Sequence, residues 1–106
     1  MSDFYCEEIL SGKTPVEVVR ETEYTLAFHH TRPSYPVHIV LIPKKHIESL
    51  LTVSEADRPW IEDSLRVLQD VAGEVNRKQG AAKIIANLGS YQDSKHLHVH
   101  VIPISG

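Results

Sequence analysis

The sequence predicts an α+β fold: an antiparallel sheet of about five strands, with one long helix and one short helix. Three observations carry this. Short apolar and β-branched runs recur along the chain, one long stretch has helical periodicity, and most of the connections between runs are short. Its 106 residues fit one small domain spanning residues 1–106, with no internal repeat or low-complexity linker to divide it.

In chain order, Cys6 to Ser11 fits a short helical turn stopped by Gly12. Val16 to Thr22 reads as a strand with Val16 and Val18 on one face. Tyr24 to Phe28 follows a short Glu-Thr-Glu corner, which predicts a hairpin. His29 to Pro36, punctuated by Pro33, Ser34 and Pro36, reads as loop. Val37 to Ile42 is nearly continuous β-branched and apolar sequence, the pattern of a strand buried on both faces, and it stops at Pro43.

The long helix comes next. Ser54-Glu-Ala-Asp has the form of a capping box in which the serine hydroxyl serves an orphan amide, and Pro59 is compatible with a first helical turn. Ile61, Leu65, Leu68, Ala72 and Val75 recur at spacings of four and three opposite charged and polar residues, so this stripe is expected to lie on one face of the sheet. Gly80 is the expected stop. Lys83 to Leu88 reads as a strand, Asn87 to Lys95 as a polar loop containing Gly89, and Leu97 to Ile104 as the last strand.

Composition excludes several classes. A net charge of −3 argues against a general binder of nucleic-acid polymers. No stretch approaches the roughly 20 apolar residues of a membrane span, and Met1 to Ile9 carries acids without an apolar run, against a signal peptide. The default location is therefore cytoplasmic. The single cysteine, Cys6, rules out an internal disulfide framework and reads as a small half-buried residue.

Seven histidines in so short a chain are out of line with the rest of the composition. Three of them alternate in His96-Leu97-His98-Val99-His100-Val101-Ile102. On a strand, alternation places the three imidazoles on one face, about 6.5–7 Å apart, and the apolar residues on the other. A lone histidine there would be an ordinary polar strand residue; three in register, with His46 at the end of another strand, point to chemistry. Two chemistries fit. A neutral imidazole can attack phosphorus while its neighbours fix its tautomer and stabilise phosphoryl charge. Alternatively, two strand histidines and a third from elsewhere can hold zinc, although nitrogens in a line are awkward for a tetrahedron.

His96-Leu-His-Val-His-Val-Ile resembles the motif of the histidine-triad family, His-x-His-x-His followed by two apolar residues. The resemblance extends to Tyr24-Thr-Leu-Ala-Phe-His with its Pro-containing loop, to Val37-His-Ile-Val-Leu-Ile-Pro-Lys-Lys-His-Ile, and to Asn87-Leu-Gly. It implies the histidine-triad fold, usually a homodimer, and hydrolysis or transfer of nucleotides by attack on the α-phosphorus, with no metal or other cofactor. Carried over position by position, His98 matches the nucleophile that becomes nucleotidylated and His96 the histidine that supports and orients it. His100 matches the phosphoryl-contacting histidine, and His46 the fourth of the cluster. Asn87 and Gly89 match the loop lining the phosphate pocket, and Phe28 falls among positions that hold the base.

Some positions depart from the family pattern. His30 stands where nucleotide-binding members often have an aspartate that holds the ribose hydroxyls. Tyr91-Gln92-Asp93-Ser94 stands in place of the usual Gly-Gln-Ser-Val, so Asp93 takes the place of the phosphate-contacting serine and Ser94 is one position late. A carboxylate beside a phosphate is repulsive unless protonated or turned away. The substrate-binding set implied by the resemblance is Asn87, Gly89, Gln92, Ser94, Phe28 and His30. Lys44 and Lys45 fit either anion steering or a solvated strand end, Arg32 a second phosphate or an ordinary loop, and Trp60 a core anchor or an interface. Three functions follow: a nucleotide hydrolase or transferase cleaving a phosphoramidate or phosphoanhydride bond, a non-catalytic nucleotide- or metal-binding module, and a metal-dependent hydrolase using the histidine cluster.

Overall fold

The β1 (Val18–Glu21) and β2 (Thr25–His29) strands form the expected hairpin, pairing antiparallel with Glu21 opposite Leu26. A computed structural model describes residues 5–31 and 37–103 of the chain. The predicted loop at Arg32, Pro33, Ser34 and Pro36 and the predicted strand end at Ile104 lie outside the described residues. Next come β3 (Ile39–Pro43), the helix α1 (Arg58–Gln79), β4 (Lys83–Ile85) and β5 (Val99–Ile102). Among the described residues the five strands make one antiparallel sheet in the order β1-β2-β3-β5-β4. Every residue of β3 is buried, as its unbroken apolar run predicts for a central strand.

Parity divides the sheet into two faces. Ala27, Ile39, Leu41 and Val101 point to α1 and pack on Val67, Val71 and Val75. The buried stripe of the helix therefore differs from the expected one. Ser64, Val67, Val71 and Val75 are its buried residues, while Leu65 is 59% exposed and Leu68 and Ala72 flank the core. Both stripes have helical spacing; the valines lie about 100° per residue around the axis from the leucines, and the sheet takes the β-branched side. Ser64 is accommodated by a polar contact. Its hydroxyl meets that of buried Thr25 at 3.0 Å, and Thr25 donates to the Asp63 carboxylate at 2.6 Å. This ties the hairpin to the helix.

The sequence leaves the second face bare, and the structure covers part of it. A six-residue helical segment, Tyr5–Leu10, lays Tyr5 and Ile9 on Leu26, Phe28, Val40 and Ile42. Gly12, just beyond it, has φ +83, the left-handed turn expected there.

Helix α1 ends at Gly80, also left-handed, whose amide donates to the Asn76 carbonyl at 2.9 Å. At its start the acidic half of the predicted capping box forms: the Ser54 amide donates to Asp57 Oδ2 at 2.9 Å. The Ser54 side chain faces the Asp57 backbone amide in return, completing the box, and its hydroxyl also lies 3.3 Å from that carboxylate. A reciprocal box unforeseen in the sequence sits upstream, where Leu51 N–H donates to Ser49 Oγ at 3.0 Å and Ser49 N–H to Thr52 Oγ1 at 3.1 Å. The predicted strand Lys83 to Leu88 keeps only its first three residues as β4.

Candidate functional site

The sheet register assembles a row of imidazoles on the face opposite α1. His29 pairs with Ile39 and Val40 with His100, so His30, His38 and His100 fall on one side of β2, β3 and β5. The ring centroids run His98 to His100 at 5.1 Å, His100 to His38 at 4.9 Å and His38 to His30 at 4.4 Å. His38 and His100 touch directly, Nε2 to Nδ1, at 2.8 Å.

The three alternating histidines differ in setting. Regular strand pairing starts only at Val99, because the Leu97 amide donates to Ile47 O at 2.6 Å, beyond the end of the β3 ladder. His96 is 0% exposed. Its Nε2–H donates to the Pro43 carbonyl at 2.9 Å, and its Nδ1 lies 3.4 Å from Cys6 Sγ. His98 is buried, with Tyr5 over its ring at 4.9 Å, and its Nδ1–H donates to the His96 carbonyl at 2.8 Å. That bond fixes the tautomer: with the proton on Nδ1, the lone pair of a neutral ring sits on Nε2. The orienting atom is thus the His96 backbone oxygen rather than its imidazole.

Burial holds His98 below the ordinary imidazole range against the opposing effect of its bond to His96. Burial, with His98 and His38 alongside, pushes His100 down to about 4. His38 is lowered by burial and by the nearby His30. At neutral pH these rings are uncharged and able to offer lone pairs.

His98 and His100 open on a cavity of about 620 Å³ that Asn87, Ser94, Asp93 and His30 also line. Tyr91, 81% exposed, stands at its rim. Ser94 Oγ is buried without a hydrogen-bond partner among the described residues, a state that costs about 1–3 kcal/mol until a ligand satisfies it. Asp93 faces the cavity closely enough to oppose the lowering at both His98 and His100, so its carboxylate is not turned away.

Besides the fully buried His96, four of the sequence candidates lie outside the cavity lining. Phe28 is 1% exposed and packs under Tyr5 in the second core, with ring centroids 6.2 Å apart; it does not line the cavity. Gln92 is buried as a brace, its amide donating to the Glu48 and Ser94 carbonyls at 2.8 and 2.9 Å. Gly89 shapes the loop through a φ of +62, and its carbonyl accepts from Lys95. His46 is exposed and meets His96 edge-on at 5.5 Å, away from the cavity. The histidine that touches His100 is instead His38, for which the sequence assigned no role. Its signal was parity: His38 shares its side of the strand with Val40 and Ile42. Tyr5 carried no signal, since only tertiary packing brings it over the histidines. Lys44 and Lys45 pair with Glu21 and Asp57 at 2.7 and 2.6 Å, and Lys45 also lies 4.9 Å over Trp60. Trp60 in turn meets Tyr24 edge-on.

Among the described residues, two groups of side chains have metal-ligand chemistry: Cys6 with His46 and His96, and His30 with His38 and His100. In each, the candidate ligand atoms lie within 4.8 Å of one another.

Residues 3–105 match the family model described as scavenger mRNA decapping enzyme C-term binding. An uncharacterised HIT-like protein of Azospirillum brasilense is 37% identical over 99 residues, which covers 88% of this chain and 79% of that protein. In structure the chain is similar to a HIT family hydrolase from Legionella pneumophila, with TM-score 0.84, 28% identity and coverage of 99% of this chain and 95% of that one. It is likewise similar to a histidine triad protein from Clostridium difficile, with TM-score 0.82, 31% identity and coverage of 100% and 93%. Sequence and fold agree over nearly the full length, and the chain belongs to the histidine-triad (HIT) family.

Proposed function

We propose that the protein is a nucleotide hydrolase or transferase in which His98 Nε2 attacks the α-phosphorus of a phosphoramidate or phosphoanhydride. The observation that carries this is the bond from His98 Nδ1 to the His96 carbonyl at 2.8 Å, which directs the ring's lone pair to Nε2 in a side chain that lines the cavity. Attack forms a P–N bond to His98 as the bond to the leaving group breaks and that group takes up a proton. Water then attacks the phosphorus and frees the nucleotide and the imidazole. His100 stands beside the nucleophile to contact phosphoryl oxygens, and the buried Ser94 hydroxyl supplies a further donor. Asn87 and His30 lie where the rest of a nucleotide would extend. Cys6 and Pro43 fix His96, which positions His98 through its backbone.

The same reading includes a homodimer. It is supported by the edge position of β4 and by exposed apolar side chains: Ile84 on that strand is 51% exposed, and Leu65 on α1 59%. A second reading, a module that binds a nucleotide without useful turnover, is favoured by Asp93, whose carboxylate opposes an incoming phosphoryl charge.

The test is turnover of adenosine 5′-phosphoramidate by the wild-type chain and by His98→Asn, both with chelator present. Turnover by the wild type that the variant lacks supports covalent catalysis. A folded wild type that binds the nucleotide but does not turn it over supports the binding module.

A further inference from the structure

We propose that His30, His38 and His100 form a binding site for a divalent transition metal of the zinc class. The site goes beyond the proposed reaction, which requires no metal, and overlaps its cavity: His100 and His30 belong to both. Each ligand is set by the sheet rather than by a loose surface loop. The His30 amide donates to the His38 carbonyl at 2.7 Å, continuing the β2–β3 ladder, and His100 lies within β5. One nitrogen from each ring lies within 4.8 Å of the other two.

Zinc–nitrogen bonds of about 2.0–2.1 Å in a tetrahedron place nitrogens about 3.3 Å apart. The His38–His100 contact of 2.8 Å therefore has to open by about half an ångström, and His30 has to swing inward. His30 is half-buried at the end of its strand, where such a rotation meets least resistance. The metal takes the lone pairs of both touching nitrogens, and the N–H now shared between them moves to the far nitrogen of its own ring. Three imidazoles without a carboxylate select zinc-like ions over magnesium or calcium. His30 and His100 both line the cavity, so the fourth coordination position faces it, open to water or to an anionic oxygen.

The cluster of Cys6, His46 and His96 is the competing site, and a thiolate distinguishes it. Cobalt(II) serves as the probe, titrated into the full chain and followed by its visible d–d absorption. The expected result is one ion per chain in Cys6→Ser, with no thiolate-to-cobalt charge-transfer band. Losing even an outer partner of a ligand costs about 10–100-fold in metal affinity. His30→Asn and His38→Gln are each expected to lose more than that, with folding verified by circular dichroism. Absence of binding in Cys6→Ser overturns the proposal. So does undiminished binding in a folded chain that combines His30→Asn with Cys6→Ser, which decides the matter by itself if His38→Gln does not fold.

Discussion

On one face of the sheet, valines of the 22-residue helix α1 meet Ala27, Ile39, Leu41 and Val101 in an aliphatic layer. On the other, Tyr5 and Ile9 of a six-residue segment meet Phe28, Val40 and Ile42, and beside them a row of imidazoles borders a cavity. The strands are the same, and only the parity of the residue decides which environment it enters. Leu41 and Val40 are consecutive in β3, yet one packs under the helix and the other sits opposite His100. A central strand can thus serve stability with its odd positions and chemistry with its even ones.

Variants on the two faces should therefore fail in different ways. The largest effect is expected from His98→Asn, which should lower turnover of a nucleoside phosphoramidate by on the order of 10³-fold or more while leaving the thermal midpoint close to that of the wild type. Leu41→Ala should do the reverse. A cavity in the helix-side layer should cost about 2–5 kcal/mol in unfolding free energy, measured by urea titration, with activity per folded molecule retained. Ser94→Ala should reduce turnover by about 10–100-fold, corresponding to a lost hydrogen bond to a charged group worth about 1.5–3 kcal/mol. An unchanged rate would mean that another group meets the phosphoryl oxygen.

The smallest effect is a matter of slope. His38, His98 and His100 are all lowered in the folded chain, so between the usual imidazole value and about 4 the unfolded chain binds more protons. Their contribution is complete above the usual value and declines as pH falls through this window. His100→Gln should flatten that decline, whereas Leu41→Ala should displace the curve without changing its steepness. Equal steepness in wild type and His100→Gln would remove the histidine face from the account of acid sensitivity.

Most of the fold was legible because it rests on local pattern. The unbroken run from Val37, the hairpin before it, the helix with Pro59 in its first turn and the glycine stop all follow from period and punctuation. The choice between two apolar stripes on α1 was not local. Leu65 and Val67 both belong to helical repeats, and only the shape of the sheet surface selects the valines. At the site, the motif pointed to His96, His98 and His100 by spacing alone. The partner of His100 was concealed by the need to know strand order: His38 becomes its neighbour only once β3 is paired with β5. Phe28 was misplaced for a related reason, since nothing in the sequence announces that Tyr5 will cover it.

The Tyr5–Leu10 segment also bears on how reactive the histidines are from moment to moment. Tyr5 lies against the rings of both His96 and His98, at 5.9 and 4.9 Å, and so short a segment has little contact area with which to resist lifting. Local opening there costs less free energy than unfolding the sheet. Acylation of His96 by diethyl pyrocarbonate should therefore proceed in native buffer at a rate set by this opening, and removal of the Tyr5 ring should accelerate it while amide exchange in β3 stays slow. The N-terminal segment would then act as a hinged cover over the supporting histidine, while the nucleophile stays reachable from the cavity.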